Sequence, residues 1–237
     1  MRHFGIIGYP LLHSFSAKYF NEKFTTEHID AEYSLYPMKD LTSEKMNDLL
    51  DRLAGFNVTL PHKQAVIPFL DRLDETAEAI GAVNVVHNRV GYNTDCLGFI
   101  DSIRPLLRDY DRKALVLGTG GASKAVCYGL RKLGVQPTLV SRTPKEGMLG
   151  YEALNEDVMA EHTVIVNCTP LGMLPDVDSC PAIPYEMITA RHLLFDCVYN
   201  PEETLFLHKG KAQGAAVRNG MEMLTGQAKA SWKIWNN

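Results

Sequence analysis

Three glycines, one arginine and a missing acid carry the first chemical signal in this chain of 237 residues. Gly118, Gly120 and Gly121 follow a short apolar run, 114–117, and precede a helix-compatible stretch, 122–133, with Val126, Leu130 and Leu133 as its apolar positions. Strand, glycine turn and helix start in that order suit a dinucleotide. The glycines let the backbone approach a pyrophosphate, and the helix N-terminus offers N–H groups and a positive dipole end. A bare tight turn is the blander alternative, and the strand-to-helix context weighs against it. Ser123 stands at the third fingerprint position in place of Gly or Ala, a small departure. The strand expected at 137–142 then separates the two nicotinamide cofactors. An acid near its end would hold a ribose 2′-hydroxyl. Ser141, Arg142 and Thr143 stand there instead, with Lys145 just beyond. A guanidinium and two hydroxyls suit a 2′-phosphate, which a carboxylate would repel, so the cofactor is read as NADP(H). If Arg142 is merely solvated, the missing acid still argues against NAD.

Other candidate groups lie earlier and later. Ser14 and Ser16 open a helix after the strand 3–8, where a hydroxyl can cap the helix or help hold a carboxylate. Lys63 follows Pro61 and is expected in the first turn of a helix reaching 73. A cation is disfavoured at that end of a helix, so the placement needs a reason unless Lys63 is simply solvated. Asp95 closes a polar cluster ahead of a helix at 96–107, as a functional acid or as its N-cap. Gln227 borders the apolar stripe Met221, Leu224, Ala228, Trp232 and Trp235 of the closing helix, 220–235, and needs a partner, either backbone or ligand.

These residues require elements to position them. Strands are expected at 3–8, 31–37, 55–61 and 82–87, with helices at 42–53, 62–73 and 74–80 between them. Three strand–helix steps followed by a strand make one α/β domain. A turn-rich piece, 90–95, leads out of it. Around the dinucleotide unit, strands at 163–168, 192–199 and 215–219 and a helix at 203–213 make a second. The predicted fold is therefore two α/β domains, 1–94 plus 218–237 and 95–217, with a cleft between them near Thr94 and Asp95.

Composition narrows the class. Hydrophobic residues make up 46% and charged residues 22%, the balance of an ordinary globular chain. A net charge of −4 gives no electrostatic case for nucleic acid or an anionic membrane. Five cysteines without a C-x-x-C pair suggest reduced thiols in a cytoplasmic protein. The N-terminus is too quickly interrupted for a signal peptide, and no apolar run approaches membrane-spanning length. The histidines lack metal spacing, so no metal is expected.

Taken together, the motifs resemble those of the shikimate dehydrogenase family from end to end. Gly8-Tyr-Pro-Leu-Leu-His-Ser-Phe-Ser16 resembles its substrate-carboxylate loop, and Asn57-Val-Thr-Leu-Pro-His-Lys63 its catalytic-lysine motif. Ala82-Val-Asn84 and Gly91-Tyr-Asn-Thr-Asp95 resemble the asparagine and aspartate motifs. Gly118-Thr-Gly-Gly-Ala122 and Ser141-Arg-Thr143 resemble the cofactor motifs. Asn167-Cys-Thr-Pro-Leu-Gly-Met173, Asp196-Cys-Val-Tyr-Asn-Pro201 and Gly220-Met-Glu-Met-Leu-Thr-Gly-Gln227 complete the set.

The resemblance implies an N-terminal substrate-binding catalytic domain, a Rossmann-type NADP-binding domain, and reversible hydride transfer between NADPH and 3-dehydroshikimate. It implies Lys63 as general acid/base with Asp95 as its partner. Ser14, Ser16, Asn57, Thr59, Asn84, Tyr199 and Gln227 would bind substrate. Gly118, Gly120, Gly121, Ala122, Ser141, Arg142, Thr143, Thr169, Gly172, Met173, Val198 and Gly220 would bind cofactor, with the protein a monomer or homodimer. The chemistry agrees: reducing a ketone takes a proton as well as a hydride, and a lysine paired with a carboxylate can relay it. Some positions depart. Ala17 stands where the family often has Pro, Ser141 where Asn is commoner, and 143–163 is short, which leaves Arg142 and Lys145 to clamp the 2′-phosphate. Two rivals are a quinate/shikimate dehydrogenase of looser cofactor choice and a binding protein without turnover.

Overall fold

Two mixed α/β units account for the computed structural model, which describes residues 1–12 and 14–237. His13, inside the 8–16 motif, lies outside the described residues. One unit comprises Met1–Thr94 with Gln227–Asn237, the other Asp95–Gly226. The division falls within the closing helix, not ahead of it at 217/218 as the sequence suggests. Of the expected stripe, Ala228 and Trp235 belong to one core, while Met221 is exposed and its neighbour Met223 belongs to another core.

In the first unit the chain runs β1 (Arg2–Gly8), α1 (Phe15–Thr26), β2 (Ala31–Pro37), α2 (Ser43–Arg52), β3 (Gly55–Val58), β4 (Arg72–Leu73), α3 (Glu75–Ile80), β5 (Val85–His87) and β6 (Val90–Tyr92). The sheet order is β2-β1-β3-β5-β6-β4. β1, β2 and β3 are parallel, and β5 is antiparallel to β3 and to β6. Strand alternation sends Phe4, Ile6, Tyr33 and Val85 to one face, against α1 and the C-terminal helix. Phe56, Val58 and Val86 face the other way, against α2.

Two expectations fail here. The helix predicted over 62–73 is a run of turns, a single 3₁₀ turn at Ile67–Phe69 and the short strand β4. Pro68 has no N–H to donate and its ring crowds the preceding turn, so the one α-type bond, from Val66 N to His62 O, is not propagated. Lys63 therefore sits in a turn, and the helix-dipole argument for it does not apply. The piece 90–95 contains a strand, β6, joined to β5 by Asn88 and Arg89, both at positive φ (47° and 60°). Positive φ at both central residues gives a turn whose twist matches antiparallel strands.

The second unit runs α4 (Asp95–Ile103), β7 (Lys113–Leu117), α5 (Gly121–Lys132), β8 (Gln136–Ser141), β9 (Leu149–Gly150), α6 (Glu156–Glu161), β10 (Val164–Asn167), β11 (Leu193–Asp196), α7 (Leu205–Ala212), β12 (Ala216–Arg218) and α8 (Met221–Ile234), the last shared with the first unit. Its sheet is wholly parallel, in the order β12-β11-β10-β7-β8-β9. Both faces are apolar. Ala114, Val116, Val164, Val166, Leu193 and Phe195 pack with α4 and α5, while Leu115, Leu117, Ile165 and Leu194 pack with α6 and α7. A parallel sheet covered on both sides needs such unbroken apolar strands. The strand order reverses between β7 and β10, so the crevice for a ligand opens at their C-terminal ends.

Candidate active site

In the first unit, parallel pairing puts the C-terminal ends of β1 and β3 on one edge of the sheet. Thr59 N donates to Ile7 O at 2.9 Å and Tyr9 N to Leu60 O at 3.0 Å. Asn84, just before the antiparallel β5, reaches the same edge, its carbonyl accepting from Val58 N at 2.9 Å. The turn that holds Lys63 is anchored beside it, with Val83 N donating to Lys63 O at 2.7 Å. Lys63 is half-buried. Ser14 caps α1, its Oγ accepting from Ala17 N at 3.4 Å, and Ser16 is buried in the first turn. The capping role left open from sequence thus falls to Ser14.

A buried polar network runs beneath this edge. Tyr33 Oη donates to Asn57 Oδ1 at 2.7 Å, and Asn57 Nδ2 donates to Asn84 O and to Ser231 Oγ, each at 3.2 Å. Ser231 Oγ donates to Gln227 O at 2.8 Å and lies 3.3 Å from Thr94 Oγ1. Asn84 Nδ2 donates to Thr94 Oγ1 at 3.0 Å, and Thr94 N to Asn84 Oδ1 at 2.7 Å. Burial pushes the Tyr33 phenol well above the ordinary tyrosine range, with a hydrogen bond from Ser16 acting against it. Ser16, Asn57, Thr59, Lys63, Asn84 and Gln227 are thus brought together in one unit. Sequence reasoning missed Tyr33 and Ser231, and gave Thr94 a place near the expected cleft but no role. Asn57 itself was the available signal: on a four-residue, fully buried strand it points to an apolar face and must find partners there.

In the second unit the expected cofactor residues lie at or just past the C-terminal ends of β7, β8, β10, β11 and β12. Gly118 follows β7 with φ +104°, and a Cβ there would press on Thr169 Cγ2 at 3.1 Å. Gly120 is the N-cap of α5 and supplies no side-chain bond to its first turn, and a Cβ on Gly120 would meet nothing within 4 Å. The first-turn N–H groups and a glycine-floored approach therefore fit a pyrophosphate. Ser123 is buried and donates to Gly120 O at 2.7 Å, which explains the hydroxyl at the third fingerprint position. At the end of β8, Ser141 Oγ accepts from Thr143 N at 3.2 Å, and Arg142 is exposed.

The ends of β10 and β11 are tied by a buried carboxylate. Asp196 Oδ1 accepts from Asn167 Nδ2 at 3.0 Å and from Val198 N at 2.9 Å, and Oδ2 accepts from Thr204 Oγ1 at 2.6 Å. Asn167 Oδ1 in turn accepts from Thr169 N at 3.0 Å and Thr169 Oγ1 at 2.6 Å. Burial raises the Asp196 pKa to about 6, against the three hydrogen bonds that favour its charge. Gly220 N donates to Val198 O at 3.0 Å, so Thr169, Val198 and Gly220 share this frame. Gly172 is buried at φ +86° with its N–H on Ser179 Oγ at 2.9 Å, while Met173 is exposed. Tyr199 is half-buried just beyond Val198. Asp95 is the first residue of α4, half-buried. Among the described residues no cluster of His, Cys, Asp and Glu is arranged to hold a metal, and no helix is long and apolar enough to cross a membrane.

Residues 6–86 match the family model described as the shikimate dehydrogenase substrate binding domain. A shikimate dehydrogenase (NADP(+)) of Caldanaerobacter subterraneus subsp. tengcongensis is 36% identical, with 98% of this chain and 90% of that protein covered. Among solved structures, the shikimate 5-dehydrogenase of Thermus thermophilus in complex with NADP(H) and shikimate superposes with a TM-score of 0.88 at 29% identity, covering 99% of this chain and 93% of that one. The enzyme of Listeria monocytogenes in complex with shikimate and NAD gives 0.87 at 25% identity, covering 100% and 92%.

Proposed function

This chain belongs to the shikimate dehydrogenase family, and from that premise we propose that it interconverts 3-dehydroshikimate and shikimate with NADP(H) in the route to aromatic amino acids. The observation that carries the proposal is the shared edge in the first unit, where a buried hydrogen-bond frame fixes hydroxyls and amides and Val83 N holds the backbone of Lys63 beside them. A small polyol acid needs such a surface, because each of its hydroxyls must find a partner on leaving water.

In this reading the Lys63 ammonium gives its proton to the ketone oxygen in reduction and takes it back in oxidation, with Asp95 as its partner. Ser14 and Ser16 hold the carboxylate, and Thr59, Asn84, Tyr199 and Gln227 take the hydroxyls. The cofactor supplies the hydride when bound. Gly118, Gly120, Gly121 and Ala122 receive its pyrophosphate, Ser141, Arg142 and Thr143 its adenosine end, and Thr169, Gly172, Met173, Val198 and Gly220 line the nicotinamide side. No nucleic acid takes part, and the enzyme works in the cytoplasm as a monomer or homodimer.

The test is NADP⁺ reduction with shikimate by wild type and Lys63→Ala. We expect kcat to fall by about 10²–10⁴, the usual contribution of a positioned acid/base, while shikimate still binds. Normal turnover by the variant would remove Lys63 from the chemistry. Running the assay with quinate and with NAD⁺ settles both specificities, and tight binding without turnover by wild type would replace the enzyme with a binding protein.

A further inference from the structure

We propose that Tyr33 is a positioning residue for the substrate pocket: its buried ring sets Ser16 through α1, and its hydroxyl sets Asn84 through Asn57. This rests on the substrate-binding roles assigned above to Ser16 and Asn84. Tyr33 is 4% exposed on β2. Its ring stacks on Phe20, one turn along α1 from Ser16, with centroids 5.0 Å apart and planes at 16°. Its hydroxyl donates to Asn57 Oδ1 at 2.7 Å. One side chain thus braces α1 and orients an amide on β3.

Asn57, expected from the resemblance to bind substrate, also joins this frame. The amide has two N–H donors, and its Nδ2 has partners for both in Asn84 O and Ser231 Oγ, while Oδ1 is held by Tyr33. At 3% exposure both N–H donors of this side chain are taken by the frame, which ties Asn84 and Ser231 to Tyr33. The Asn84 carbonyl held by Asn57 belongs to the residue whose side-chain amide engages Thr94, the residue before Asp95. Because burial keeps the Tyr33 phenol protonated, it remains a donor throughout the working pH range.

The experiment is steady-state kinetics of Tyr33→Phe and Ser231→Ala in the NADP⁺/shikimate assay, beside wild type. Phe keeps the ring stack and removes only the hydroxyl. Tyr33→Phe should raise KM for shikimate about tenfold, the weight of one buried hydrogen bond, with KM for NADP⁺ unchanged and kcat within about threefold. Ser231→Ala, which leaves Tyr33 in place and removes the other hydroxyl on the Asn57 amide, should show the same split. A general loss of folding would lower the active fraction and hence kcat, without moving one KM and sparing the other. An unchanged shikimate KM in a folded Tyr33→Phe overturns the proposal while the site assignment stands. Wild type that does not turn over shikimate overturns the site assignment and the proposal together.

Discussion

Arg142 shows how much a single position can say about chemistry. It stands at the end of β8 where an acid would select NAD, and its side chain is exposed. A guanidinium gains about 1.5–3 kcal/mol from charge-assisted hydrogen bonds to a phosphate. Arg142→Ala should therefore raise KM for NADPH tenfold or more and leave KM for NADH unchanged, as measured by initial rates with both cofactors. The residue types of the candidate site were equally plain in sequence: Ser16, Thr59, Lys63 and Asn84 stand in short motifs. Their supports were not. Tyr33 and Ser231 sit far from those motifs in the chain and look like ordinary members of a strand and a helix. Only the alternation that turns Asn57 toward α8 makes them its partners.

Among the elements, the ends of β10 and β11 hold a different device. Asp196 closes a strand buried throughout, and folding moves its pKa from the ordinary Asp range near 3.9 to about 6. The folded protein thus binds the proton more tightly than the unfolded chain. The stabilisation this gives is complete below about pH 4 and is lost as pH rises through about 6. Relative to Asp196→Asn, wild type should gain about 2–3 kcal/mol as pH falls from 8 to 4, from denaturant unfolding at each pH. A flat difference would show that the carboxylate's three hydrogen bonds already offset its burial. The strand itself was evident as an apolar run. The carboxylate's role was not, because Asn167 and Thr204 reach it only after β10 and β11 pair in register and α7 folds back.

At the scale of the molecule, the C-terminal residues cover one face of the first sheet. Trp235 is 3% exposed, lies 4.9 Å from the Phe4 ring and 5.1 Å from Phe20, and donates its indole N–H to Val86 O at 3.2 Å. Gly55 allows that approach, since a Cβ there would overlap the indole. Trp235→Ala should cost the first unit about 3–5 kcal/mol. Both tryptophans, Trp232 and Trp235, lie in this unit. Urea unfolding of the variant followed by Trp232 fluorescence therefore reports on the unit itself, and circular dichroism follows both units.

Periodicity and motif chemistry in the sequence determined the two α/β layers, the glycine turn at the head of α5, the NADP-type strand end and the family. These are local matters, set by side chains within a few residues of one another. Tertiary structure alone decided that 62–73 does not become a helix, that β5 and β6 form a hairpin, that α8 divides between the units, and that Tyr33, Thr94, Ser231 and Asp196 stand behind the functional groups. The reason is physical: a buried polar group takes whichever donor or acceptor the fold brings within about 3 Å, and that neighbour is chosen by strand register and helix packing, not by nearness in the chain.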